Sequence, residues 1–179
     1  MHPRIPRQPA RDLELRHRVD DDARMGTELA AVVAGARRRA VRDGDRQIDT
    51  AHLLHSLLES DPDVRAVFGG PARVARLLGY LVQRSIGYGL RWQGSVEDSG
   101  SVPAVTDAEG FSPLAGRALE AACARAAERG ERARGVDLLA ALVADPDARA
   151  VEVLAAAGIE ARDVVDGTPW RAGEADGGG

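Results

Sequence analysis

Apolar side chains recur at helical spacing twice along this chain, and each time the same series of punctuation marks follows. Met25, Leu29, Val32, Val33, Ala36 and Ala40 fall on one stripe, the pattern of a helix with one face on a core. The spacing predicts a helix over about Ala23–Asp43, stopped by Gly44. A second helix, capped by Asp49 or Thr50, reaches about Glu59 and buries Leu53, Leu54, Leu57 and Leu58. Asp61-Pro62 opens a short third helix with Val64, Val67 and Phe68, closed by Gly69-Gly70. Pro71 suits the first turn of a fourth, which carries Val74, Leu77, Leu78, Leu81 and Val82 and reaches toward Ile86.

From Phe111 the series begins again. Met25 matches Phe111, Val33 matches Leu119, Ala40 matches Ala126 and Gly44 matches Gly130, each pair 86 positions apart. Leu53-Leu54 then matches Leu138-Leu139, Leu57 matches Leu142, and Asp61-Pro62-Asp63 matches Asp145-Pro146-Asp147. Ser112 caps the new helix, Pro113 takes its first position, and Phe111 is placed to pack back on it. Val151, Val153 and Leu154 follow, then a stop at Gly158 and a last short helix over Ile159–Val165. A self-match on this scale decides the architecture. The expected fold is all-α: two pseudo-symmetric four-helix units packed as one double bundle.

The segments between fit that division. Residues 1–22, broken by Pro3, Pro6 and Pro9, read as a disordered N-terminal tail. Residues 23–91 form the first repeat, the polar stretch 92–110 a linker, 111–167 the second repeat and 168–179 a loose C-terminal tail.

Composition narrows the chemistry. With 44% hydrophobic but only 3% aromatic residues, the core is built from Leu, Val and Ala. All 24 basic residues are Arg, so a phosphate-binding loop of the GxxxxGK[ST] type is excluded. The lone cysteine, Cys123, lies among alanines and reads as a small buried side chain. His52 and His55, three apart on one helix, could face a metal, but no third ligand is evident and they read as ordinary helix residues. No nucleophile–base pair stands out, so the expectation is a protein that is not an enzyme and needs no cofactor and no metal. No apolar run is long enough to span a membrane, and no secretory leader is visible, so the expected location is cytoplasmic.

Arg37, Arg38 and Arg39 supply an alternative reading, a nucleic-acid-binding helical regulator. The net charge of −4 and the lack of a matching cluster in the second copy weigh against it.

The run FSPLAGRALEAACARAAERG, followed by GVDLLAALVADPDARAVEVLAAAGI, resembles the Clp repeat. Asp49–Leu54, DTAHLL, resembles that repeat's Gly-Thr-Glu-His-Leu-Leu. Two such repeats form the N-terminal domain of Clp-type AAA+ unfoldases. The resemblance covers about Ala23–Gly167; the second copy is the better match, since the first begins Met25-Gly26-Thr27. It implies a free-standing recognition domain that binds substrate peptides, adaptor proteins or cyclic-peptide ligands, as a decoy or adaptor for a Clp unfoldase. The family's Glu associated with phosphorylated arginine falls at Ala51 and Val136, so that activity does not carry over. The family's ligand surface maps onto Met25, Ala30, Phe111, Arg117 and Glu120.

Overall fold

In the computed structural model, residues 23–85, 97 and 110–167 are described. The first apolar stripe becomes α1 (Thr27–Asp43), which buries Leu29, Val32, Ala36 and Ala40. Three helices follow: α2 (Thr50–Ser60), α3 (Pro62–Val67) and α4 (Pro71–Ser85). The second copy supplies α5 (Pro113–Glu128), α6 (Gly135–Ala144), α7 (Arg149–Ala156) and α8 (Ala161–Asp166). The described residues are all-α, two four-helix units packed as one double bundle.

Each unit centres on its second helix. In α2 every residue from Thr50 to Leu58 is buried, and in α6 every residue from Gly135 to Val143. Helices enclosed on all sides have no polar face to spare, and the remaining helices cover them. The two central helices touch one another, so one core runs through both units.

Two short backbone bridges stitch the copies together, and they are related by the duplication. Met25 lies beside Ala133 and Ile48 beside Phe111. Gly26 N–H donates to Ala133 O at 2.9 Å and Ala133 N–H to Arg24 O at 2.9 Å. At the matching place Ile48 N–H donates to Gly110 O at 2.7 Å and Ser112 N–H to Ile48 O at 2.9 Å. Each repeat thus opens against the inter-helix turn of the other.

The first bridge corrects one expected boundary. A single helix over Ala23–Asp43 is interrupted: Ala23 and Arg24 are helical, but Gly26 is extended, with φ −68° and ψ 160°, and α1 restarts at Thr27. Pairing with Ala133 outweighs helix propensity there, since extended backbone must turn its N–H outward to cross-link the repeats. The stop at Gly44 is as expected: its φ of 72° lets the chain leave α1 while its N–H closes on Val41 O at 3.2 Å. The last helix begins at Ala161, with Ile159 buried ahead of it. Most of the 92–110 linker, both tails and Ile86 lie outside the described residues.

Candidate functional site

The N-terminus of α2 is densely hydrogen-bonded. Asp49 caps it, accepting the His52 N–H at 2.9 Å, while Asp49 N–H donates to His52 Nδ1 at 3.0 Å. The reciprocal pair satisfies two backbone donors of a helix start. Asp49 is fully buried and also accepts from Arg84 of α4 and, at 2.8 Å, from Arg149 of α7. Burial opposes ionisation of Asp49. The His52 hydrogen bond and the charges of His52, Arg84 and Arg149 outweigh it and hold the carboxyl well below the usual carboxylate range.

Immediately beside this cap sits Glu97, which is buried. Its carboxylate accepts from Thr50 N–H at 2.9 Å, Ser112 Oγ at 2.7 Å and Arg149 N–H at 2.6 Å, and from the Thr50 hydroxyl. Three helix starts therefore converge on one carboxylate: α2 through Thr50, α5 through its cap Ser112, and α7 through Arg149. The N-cap of α7 is Ala148, which has no side-chain acceptor of its own, so Glu97 serves it from a distance.

Thr50 also lines a groove of about 450 Å³. Leu114, Ala118 and Ala121 of α5 and Ala141, Leu142 and Ala144 of α6 make its apolar lining. Arg117, Arg125, Asp145, Pro146 and Ala148 complete it. Arg117 approaches Asp145 at 3.5 Å with much of its side chain in solvent, an ion pair of little energetic weight that either partner can leave for another. A groove of this size, apolar with a few charged groups, can hold several small side chains.

The five residues mapped from the resemblance differ in exposure and in partners. Arg117 lines the groove. Glu120 is exposed and holds Arg24 in a two-pronged pair at 2.9 and 2.7 Å; Arg24 keeps its carboxyl below the usual range. Ala30 is half-buried on α1. Met25 and Phe111 are 8% and 5% exposed, each at an inter-repeat bridge, and Arg37 stacks its guanidinium over the Phe111 ring at 5.5 Å. These two side chains are core, and the bridges fix where α1 and α5 begin.

The basic run is likewise divided. Arg37 lies on Phe111, Arg39 holds Glu59 at 2.6 Å, and Arg38 is exposed. His52 and His55 are both buried. His52 spends its two ring nitrogens on the Asp49 N–H and on Asp45, 2.7 Å away. Burial lowers its pKa, but Asp45 and Asp49 outweigh burial and raise it above 6.5. Asp43, Asp45 and His52 lie close enough to share a cation, a use that competes with the capping role of His52. His55 is pushed down to about 4 by burial and then by the neighbouring Arg39.

Sequence reasoning named Asp49, Thr50 and Ser112 as helix caps but gave no role to Glu97 or Arg149. The caps carry a local signal, a polar residue ahead of an apolar run. Glu97 sits in a polar stretch, 47 residues from Thr50 and 52 from Arg149, where only the fold reveals its partners.

No protein-family model matches the chain, and no curated protein sequence matches it. Solved structures do. The N-terminal domain of the caseinolytic-protease-associated chaperone ClpD from Arabidopsis thaliana superposes with a TM-score of 0.62 at 20% identity, covering 84% of this chain and 96% of that one. The fold is that of a Clp N-terminal domain. The Hsp104 N-terminal domain from Candida albicans agrees, with a TM-score of 0.61 at 12% identity, covering 82% of this chain and 91% of that one. In this Clp-type fold the groove and the Glu97 contacts lie where the first repeat's α2 meets the second repeat's α5, α6 and α7. Among the described residues no helix is long and apolar enough to cross a membrane.

Proposed function

We propose that this chain is a non-enzymatic recognition module. It takes a short peptide segment, from a client protein, an adaptor or a cyclic-peptide ligand, in the groove between α5 and α6. The groove itself carries the reading: apolar, about 450 Å³, and edged by Arg117 and Arg125 of α5 and by Asp145 just past the end of α6. The fold supports it, since both solved neighbours are N-terminal domains of the Clp and Hsp104 kind. Small alanine side chains keep the groove open, so affinity comes from what the ligand brings. Arg117, and Glu120 one turn on, offer charges for the ligand's backbone and acidic side chains. Met25 and Phe111 contribute by setting the seam on which that surface is mounted, with Ala30 one helical turn beyond it on α1.

In the cell such a module serves a Clp-type unfoldase either as an adaptor that delivers clients or as a decoy that sequesters ligands. Titrating the purified chain with a cyclic peptide, and separately with a Clp-type unfoldase, tests both versions. An adaptor binds the unfoldase and the peptide together. A decoy binds the peptide and ignores the unfoldase. Binding to neither overturns the proposal.

A further inference from the structure

We draw no further inference here: the strongest candidate, the side-chain cluster of Asp43, Asp45 and His52 where α1 turns into α2, carries no cation site, because His52 Nε2 already pairs with Asp45 at 2.7 Å and, among the described residues, nothing outside the cluster points to an ion.

Discussion

The two halves of this protein start from one pattern and differ most where their second helices begin. In the first repeat the cap of α2 is Asp49, buried and gripped by Arg84 and Arg149, followed by Thr50 with its hydroxyl turned to Glu97. In the second the cap of α6 is the exposed Arg134, whose N–H is taken by Asp137 at 2.9 Å, followed by Gly135. The short third helices complete the contrast. α3 is capped by Asp61 beside it; α7 has Ala148 for a cap and draws on Glu97. Duplication gave two equivalent junctions. One has been sealed with local groups, and the other depends on groups brought from afar.

Substitutions at matched positions should separate the halves. The largest effect is expected from Asp49→Ala, which strands two buried guanidinium groups and should cost about 3–5 kcal/mol. Its counterpart Arg134→Ala, on an exposed side chain, should stay within about 0.5 kcal/mol. Urea unfolding of the two variants checks this, and similar losses would break the comparison. Next comes Gly135→Ala. Alanine normally favours a helix over glycine, but here the new Cβ collides with the Asp61 carboxylate and crowds Leu57. Asp61 must then leave its cap, for a net loss of about 1–3 kcal/mol. In a double-mutant cycle, much of that loss should vanish when Asp61 is already Ala; additive losses would show that the two do not compete for space.

A smaller difference lies in the response to acid. His55 is buried near Arg39, Glu59, Asp43 and His52, while its counterpart in the second repeat is Ala140. Its folded pKa of about 4 lies below the ordinary 6.5, so the unfolded chain binds the proton first. The stability this contributes is present above 6.5 and is lost as pH falls toward 4. His52 runs the other way, since its raised pKa adds stability below 6.5 that is lost as pH rises through its folded value. The sign for His55 is isolated by comparing wild type with His55→Gln at pH 7 and pH 5. The wild type should lose on the order of 1 kcal/mol more than the variant over that interval. An equal loss would place the acid sensitivity elsewhere.

Much of the fold was legible in the chain itself. Leu29, Val32, Ala36 and Ala40 are buried as their spacing requires, and Ser112-Pro113 opens α5 at the expected residue. These are signals within a few positions, which one turn of helix converts directly into structure. The repeat added the global layout. The candidate site was less legible, because its chemistry is assembled across the duplication. Arg149 reaches Asp49 across 100 residues, and Glu97 reaches three helices at once. Phe111 allows two readings in the sequence, packing on its own helix or contributing to a ligand surface. An aromatic at the head of a helix suits either an exposed anchor or a seam, and pairing with Ile48 decides for the seam.

The account stands most directly on the groove between α5 and α6. Ala121 lines it with its side chain exposed, so Ala121→Trp fills the groove without entering the core. Fluorescence anisotropy of a labelled cyclic or acidic peptide should show at least about a tenfold loss of affinity in this variant, with the unfolding midpoint unchanged. Unchanged affinity in a folded Ala121→Trp protein would contradict it.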